Sequence, residues 1–248
     1  INIKTIRPAI SGKILDVTDF GCPKGTLVEV RDLFFNVPVR RKFLRSAKTE
    51  LAHIRDCFII QALSHHDVGM SLDVDDKELF RFAAGSSWLE RISGIFGNEL
   101  LKTLRPVEYK TPEVHVEGFV SLPSVNRADR NEQYLFVNNR PTSVPVLNYA
   151  INEGYRTLLP DNRCPVVFLK ISTDPTLVDV NVHPAKKEVR FRHPSEVRDA
   201  VIAAIRKALV VEVPASLHHK TPATAPLPGA SVAPASNVQL KIDDLPPT

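Results

Sequence analysis

Two neighbouring lysines, Lys186 and Lys187, are the residues best placed to do chemistry, because they lie on a short connection between two predicted strands. Apolar and polar residues alternate over 178–183, which predicts a strand with Asn181 on its polar face. Pro184 cannot donate to a strand ladder, so it ends this strand before "EVRF" begins another. A turn between strands is a rigid mount from which an ammonium group could reach a phosphate. Most exposed lysines are only solvated, and residue type alone favours that interpretation.

A second candidate segment is "GTLVEVRDLFFNVPVRRKFL", residues 25–44. Gly25 lets a backbone approach a ligand closely, and the hydroxyl of Thr26 stands beside it. Alternation predicts a strand over 25–34, and the later run 40–48 has five basic residues and no acidic one. A surface that faces phosphate and an ordinary solvated helix face explain this basic run equally well.

The usual signatures of nucleotide and metal sites are absent from the sequence. It has neither G-x-x-x-x-G-K-[ST] nor G-x-G-x-x-G, and its "DFG" at 19–21 lacks the other kinase motifs. The three cysteines are too widely spaced for a zinc site or a disulfide framework, and Cys57 is predicted to be a small core residue. The pair His65-His66 is predicted to end a helix rather than to bind a metal.

Composition predicts a soluble globular protein. Of the 248 residues 43% are hydrophobic, and no apolar run approaches the roughly 18 residues of a membrane helix. The net charge of +4 is a mild bias toward anionic partners. The cysteine usage favours a reducing cytoplasm. Because Ile1 already lies within a predicted strand, we expect a piece cut inside a domain.

Alternating strands and helices predict a mixed α/β (α+β) fold. The end of the chain is rich in proline, alanine and serine, and it is predicted to be a disordered linker. Helices are predicted over 48–65, 86–101, 144–159 and 195–209. Besides the segments above, strands are predicted over 1–10, 70–75, 78–83, 113–122, 133–139 and in "CPVVFLKIS".

Three strings of the sequence, in their order along the chain, resemble the MutL family of DNA mismatch repair proteins: "GTLVEVRDLFFNVPVRRKFL", "YLFVNNRP" and "VDVNVHPAKKEVRF". The resemblance covers about residues 1–210. It implies a Bergerat-type ATPase domain of the GHKL group, followed by a transducer domain like ribosomal protein S5. We therefore expect the C-terminal part of the ATPase domain at 1–85, the transducer at 86–210 and a Pro/Ala-rich linker at 211–248.

The resemblance also assigns roles within these strings. Gly25 and Thr26 match the pair that binds ATP, with Thr26 hydrogen-bonded to phosphate. Lys186 matches the transducer lysine that contacts the γ-phosphate, and it is the catalytic residue expected here. Asn181 matches a position that supports its loop, and Lys187 is expected to be an ordinary exposed residue.

Two motifs that the family uses for catalysis are missing. The sequence lacks E-x-x-x-N-x-x-D, which in the family supplies the general base and the magnesium-binding Asn, and it also lacks D-x-G-x-G. The expected cofactors are ATP and Mg²⁺. We expect the magnesium ligands in a missing N-terminal part, and no ATP hydrolysis by this chain alone.

DNA binding in the family is directed at the backbone and sensitive to salt. Arg45 matches a basic position of the DNA-binding groove, Arg41 and Lys42 lie beside it, and Arg140 belongs to "VNNRP". Pro145 stands where some bacterial relatives have a further arginine, which weakens the contribution expected from the transducer. The implied partners are DNA, a MutS-type mismatch sensor, a downstream nuclease and helicase, and a second copy when ATP is bound, with no membrane.

Two other interpretations are open. The chain could be a non-catalytic nucleic-acid-binding module of the S5-like type, in which Lys186 is merely exposed. It could also be another GHKL relative, such as a type II topoisomerase subunit. The string "LFFNVPVRRKFL" argues against the topoisomerase, whose corresponding segment reads differently.

Overall fold

Short strands and helices alternate along the chain. The computed structural model describes residues 4–8, 14–19, 25–179 and 189–210. The helices in this part are α1 (Pro38–Lys42), α2 (Ala47–Ser64), α3 (Trp88–Phe96), α4 (Asn98–Thr103), α5 (Pro145–Gly154) and α6 (Pro194–Val210). The strands are β1 (Lys4–Pro8), β2 (Ile14–Asp19), β3 (Met70–Val74), β4 (Lys77–Phe82), β5 (Leu104–Lys110), β6 (Val114–Ser121), β7 (Asn126–Arg127), β8 (Gln133–Val137), β9 (Arg140–Pro141), β10 (Cys164–Pro165), β11 (Val167–Thr173), β12 (Val178–Asp179) and β13 (Arg190–Phe191). Within these ranges every helix falls short of what crossing a bilayer requires in length and apolar character.

A five-stranded mixed sheet lies at the centre of the fold, in the order β5-β6-β11-β8-β9. Neighbouring strands are antiparallel except β8 and β11, which run parallel with Leu135 opposite Leu169. A parallel pair needs a crossover connection, and α5 lies in that connection. Strand β5, which contains Pro106, forms one outer edge of the sheet.

The two faces of this sheet carry two separate cores, because neighbouring residues of a strand point to opposite sides. On one face α5 and α6 pack over residues that include Val116 and Leu169. On the other face α2, α3 and α4 pack around Phe136 and Phe168, with Ile92 of α3 fully buried. Helices therefore cover both faces, and the predicted mixed α/β architecture is confirmed.

Most predicted elements are present, with shifted ends. The helix predicted over 86–101 is two helices, because Gly97 interrupts it with a φ of 86°. The helix predicted over 144–159 ends at Gly154. The prediction that Cys57 belongs to the core is wrong, since its side chain is exposed. Cys57 lies about 200° around α2 from the buried Ile59, at 100° per residue.

Arg91 of α3 is fully buried and joins α3 to the end of α2. Its guanidinium donates to five backbone carbonyl oxygens, and its Nε donates to a serine hydroxyl. Burial lowers the pKa of this guanidinium, but an arginine stays charged in proteins. The carbonyls therefore have to stabilise a full positive charge. The acceptors are Ala62 (2.7 Å), His65 (3.1 Å), His66 (2.9 Å), Val68 (2.6 Å), Ala83 (3.1 Å) and the Oγ atom of Ser86 (2.8 Å).

Gly118 of β6 lets Trp88 pack directly on the sheet. Its φ of 139° lies in a region that favours glycine. A Cβ atom here would lie 2.1 Å from the carbonyl oxygen of Phe168 and 3.0 Å from the indole of Trp88. The indole Nε1 of Trp88 donates to the carbonyl oxygen of Leu63 at 2.7 Å, which holds the ring in place.

We predict that Arg91→Met strongly destabilises the protein. The change removes a donor from five carbonyl oxygens, including the buried one of Ala62, while those of His65, His66 and Ala83 keep a backbone donor. It should lower the free energy of unfolding by at least about 3 kcal/mol, because a buried ionic hydrogen-bond network is lost. Arg91→Lys should be intermediate, since an ammonium has only three donors. Urea denaturation followed by circular dichroism measures both. Arg81→Met is the matched control, because Arg81 is exposed. A loss at Arg91→Met no larger than that of the control would contradict the role of Arg91.

We also predict that Gly118→Ala lowers the free energy of unfolding by at least about 2 kcal/mol, through backbone strain and the clash with Phe168. Gly25→Ala serves as the control, because no heavy atom lies within 4 Å of its added Cβ. It should change stability by no more than about 0.5 kcal/mol. Equal melting temperatures for the two variants would show that the close approach at Gly118 carries no cost.

Candidate functional site

The base of the loop that carries Lys186 is a short antiparallel pair of strands. In β12 and β13, Val178 pairs with Phe191 and Asp179 pairs with Arg190. Val178 and Val189 are buried in the core under α5 and α6, so both ends of the loop are fixed. This pairing confirms that two strands flank the loop.

The loop itself lies outside the described residues, which stop at 179 and resume at 189. Asn181, Lys186 and Lys187 belong to this part of the chain. Their predicted roles therefore stay predictions.

The segment that carries Gly25 and Thr26 is extended and exposed. The strand predicted over 25–34 is wrong, because the structure gives residues 25–31 no regular secondary structure. A strand needs a neighbouring ladder, and the described part of the chain supplies none to these residues. Leu27 is 85% exposed, so the apolar alternation here reflects no buried face in the described structure.

The predicted DNA-binding residues of the basic run lie on and just after α1. Pro38 begins this helix, and its last turn is basic, with Arg41 and Lys42 exposed. Arg45 precedes Ser46, the N-cap of α2. The side chains of these three basic residues make no ion pair with any described residue. Their charge is therefore free to face an anionic partner.

Two contacts fix the start of α2, which follows this basic run. The Oγ atom of Ser46 accepts from the backbone N–H of Thr49 at 3.3 Å, and the backbone N–H of Arg45 donates to Glu50 at 2.8 Å. The helix dipole makes cations at a helix N-terminus unfavourable. The charges of Arg45 and Lys48 therefore do not stabilise α2.

Arg140 lies at the other end of α2. It follows the tight turn Asn138-Asn139, in which both asparagines have positive φ. The hydroxyl of Ser64, the last residue of α2, donates to the carbonyl oxygen of Asn139. An 18-residue helix is about 27 Å long, so about that distance separates Arg140 from Arg45. The structure thus places the predicted DNA-binding residues in two groups, not in one patch.

Among the residues that the structure describes, two groups of side chains have the residue types to hold a metal ion. In the group at the start of α6, hydrogen bonding to Glu113 raises the pKa of His193. Hydrogen bonding to Glu196 lowers the pKa of Glu113, and His193 adds to this effect. Neither group contains a residue predicted to bind nucleotide. The groups are Glu108, His115 and Glu117 on the sheet, and Glu113, His193 and Glu196 at the start of α6.

Sequence interpretation missed two buried cations, Arg91 and Lys170. Lys170 lies within the apolar run "CPVVFLKIS" and is only 8% exposed. A charge inside an apolar strand was a usable signal, because lysines are almost never fully buried without a partner. Arg91 gave no such signal, since it lies among polar residues of an amphipathic helix.

Comparisons with known proteins agree with the resemblance. A family model described as the C-terminal domain of DNA mismatch repair protein matches residues 92–210. The chain is 43% identical, over 81% of its length, to the DNA mismatch repair protein MutL of Symbiobacterium thermophilum. It is 41% identical, over 84% of its length, to that of Opitutus terrae. It covers 32% and 33% of these two proteins, so it spans about a third of the length of the relatives it matches.

Solved structures show the same likeness. The N-terminal domain of a DNA repair protein has a TM-score of 0.70 and 25% identity, covering 82% of this chain and 67% of that one. The MutL ATPase domain of Aquifex aeolicus complexed with ADP has a TM-score of 0.54 and 26% identity, covering 77% and 63%. These likenesses confirm the predicted fold, the end of a GHKL-type ATPase domain followed by an S5-like domain. By sequence and by fold, the chain belongs to the MutL family of DNA mismatch repair proteins.

Proposed function

We propose that this chain acts in DNA mismatch repair, as part of a MutL-type ATP-dependent clamp that couples mismatch recognition to downstream repair. The observation that carries the proposal is the 43% identity to a MutL protein across 81% of the chain. Because the chain covers only 32% of that relative, the activity of the whole protein is itself part of the proposal.

The nucleotide in this proposal is ATP, and one of the solved MutL relatives is an ATPase domain complexed with ADP. Gly25 and Thr26 would bind phosphate, Lys186 would contact the γ-phosphate, and Asn181 would support the loop of Lys186. The described residues fit this role, because no heavy atom lies within 4 Å of a Cβ built on Gly25. A phosphate oxygen can therefore approach that backbone closely. Mg²⁺ would accompany ATP and neutralise phosphate charge, and none of these four residues is proposed as its ligand.

The strand pair β12–β13 supports a sensing role for Lys186. The buried side chains of Val178 and Val189 fix both ends of the loop to the core. A preorganised cation in a partly dry cleft stabilises phosphate charge better than a mobile one in water. If the phosphate is held by residues 25–26, the contact with Lys186 forms only when nucleotide is bound. The nucleotide would thereby set the position of the loop that carries Lys186 relative to the segment that carries Gly25 and Thr26.

DNA is the proposed macromolecular ligand, held by its backbone. Arg41, Lys42 and Arg45 would contact phosphates at one end of α2, and Arg140 would contact them at the other. A separation of about 27 Å corresponds to about eight base pairs, at 3.4 Å for each phosphate along a strand. The helix would therefore lie along the duplex rather than across it.

The remaining partners follow from the clamp model. We propose a MutS-type mismatch sensor upstream, a nuclease and a helicase downstream, a homodimer when ATP is bound, and a cytoplasmic location. The competing function is a nucleic-acid-binding module that does not sense nucleotide. The exposed basic residues around α1 would serve that function equally well, so the two functions differ in the roles of the proposed nucleotide-binding residues, above all Lys186.

We predict that Arg45→Glu weakens binding to duplex DNA and flattens its salt dependence. Each lost phosphate contact should reduce the slope of log Kobs against log salt concentration by about 1. Fluorescence anisotropy at several salt concentrations measures the slope. Lys207→Glu is the matched control, because Lys207 is an exposed cation on α6, across the sheet from α2. An equal loss of slope in both variants would indicate a general charge effect and not a contact at Arg45.

We predict that Lys186→Ala, made in the protein at the length of its relatives, lowers ATP turnover far more than ATP affinity. Loss of one preorganised charge at a transition state should reduce kcat by about a hundredfold. The dissociation constant of ATP should change by less than about fivefold. Steady-state turnover and equilibrium nucleotide binding measure the two quantities. Lys187→Ala should behave as the wild type, and an unchanged kcat in Lys186→Ala would favour the module that does not sense nucleotide.

A further inference from the structure

A cavity of about 470 Å³ opens on the sheet face that carries α2, α3 and α4. Its residues come from β5, β6, β11, the first turn of α3 and the connections that precede α3. It is separate from the residues proposed to bind ATP or DNA. The residues that matter for its chemistry are His66, Trp88, Glu108, Glu117, Phe119 and Lys170.

Lys170, in the middle of β11, is a charged group of this cavity that has no hydrogen-bond partner among the described residues. Its side chain is only 8% exposed. The ammonium nitrogen lies 4.6 Å from the centre of the Trp88 ring, a cation–π contact. Among the described residues it makes no hydrogen bond and no ion pair. No described protein group therefore accepts a hydrogen bond from the three N–H donors of this largely buried cation, although buried charges are normally paired.

The charges that face Lys170 are arranged in a row across three strands. Glu117 of β6 is directly opposite Lys170 in register, and Glu108 of β5 is directly opposite Glu117. The carboxylate of Glu108 is already hydrogen-bonded to Nε2 of His115 at 2.6 Å. Glu117, in contrast, makes no ion pair with a described residue. Asp67 and His66, in the connection after α2, also interact electrostatically with Lys170. Burial lowers the pKa of Lys170, and Glu117 and Asp67 oppose that effect.

The walls beside this row are apolar and aromatic. The rings of Trp88 and Phe119 are 6.2 Å apart and tilted relative to each other. The one polar atom of the indole, Nε1, is turned away to the carbonyl oxygen of Leu63. What Trp88 offers to the cavity is therefore the apolar surface of its ring, next to a cation.

We propose that this cavity binds a carboxylate carried by an apolar or aromatic residue, either a free amino acid or the C-terminal residue of a polypeptide. The carboxylate accepts hydrogen bonds from Nζ of Lys170. The side chain packs on Phe119 and Trp88. The ammonium or amide N–H next to the carboxylate faces Glu117, and both kinds of ligand carry that donor.

The charge row discriminates against other ligands. Glu117 and Glu108 repel the second charge of a phosphate dianion, so a single carboxylate fits better than a phosphate group. The ammonium of Lys170 disfavours a metal ion at Glu117. An uncharged apolar ligand leaves the donors of Lys170 unused and therefore loses the main polar contact.

The test uses Trp88 as its own reporter, because it is the single tryptophan of the chain. Fluorescence excited selectively at tryptophan is titrated with L-phenylalanine, N-acetyl-L-phenylalanine and L-phenylalanine amide, which share one side chain and differ in charge. We expect saturable changes with the two carboxylates, with half-saturation at about 1 mM or below. Saturation with phenylalanine but not with its N-acetyl form identifies a free amino acid. Saturation with both identifies a C-terminal residue. Binding of the amide as tightly as phenylalanine, or no saturation with either carboxylate, overturns the proposal.

Lys170→Met provides the second arm, because methionine can keep the packing on Trp88 while it removes the donors. We expect it to weaken carboxylate binding at least about tenfold. Lys102→Met is the matched control, because Lys102 is an exposed lysine on α4 paired with Glu99. It should bind as the wild type. Circular dichroism establishes that both variants are folded, and the comparison of the three ligands on the wild type stands without any variant. Binding to Lys170→Met within about twofold of the wild type would remove Lys170 from the site.

Discussion

The buried guanidinium of Arg91 is the interaction on which the helical layer over one sheet face depends. Among the described residues it has no ion pair with a carboxylate, so carbonyl dipoles stabilise the charge. The carbonyl of Ala62 belongs to the last turn of α2, where a helix leaves its acceptors without partners inside the helix, and three more belong to the residues just after it. A side chain of α3 thus completes the end of α2. The same contacts hold the two connections, after α2 and before α3, that contribute His66 and Ser86 to the cavity beside Lys170.

In the described part of the chain, helix α2 packs into the core through its C-terminal end. Its buried residues, Ile59, Ala62, Leu63 and Ser64, all lie in the last two turns, while most of the first half is exposed. The basic residues around α1 are therefore carried at the outer end of a stiff rod, and Arg140 lies beside its attached end. The distance between the two groups of cations is set by helix geometry rather than by side-chain contacts. A ligand that engages both must match that length.

Much of the fold follows from local sequence patterns. The features that cannot be predicted in this way depend mostly on contacts with residues distant in the sequence. Ser46, the alternation in β6 and the short apolar run in β11 locate their elements, because a cap, a strand period and an apolar run are local signals. The strand expected over 25–34 fails because alternation says nothing about whether a neighbouring strand is present. Arg91 looks like an ordinary polar helix residue, since its carbonyl acceptors lie 8 to 29 positions away. For the candidate site, motif matching indicates residue types and order, but the separation of Arg45 from Arg140 emerges only when α2 is placed on the sheet.

The outer strand β5 has a consequence for solubility. An exposed strand edge offers a row of free amide donors on which another molecule can build. Pro106 has no such donor, and proline within a sheet is confined to edges for that reason. Charged neighbours in the same strand, Glu108 and Lys110, oppose the addition of another strand because they would lose water on pairing. The sheet can therefore leave β5 unpaired without recruiting a second sheet, which protects the molecule from edge-to-edge aggregation.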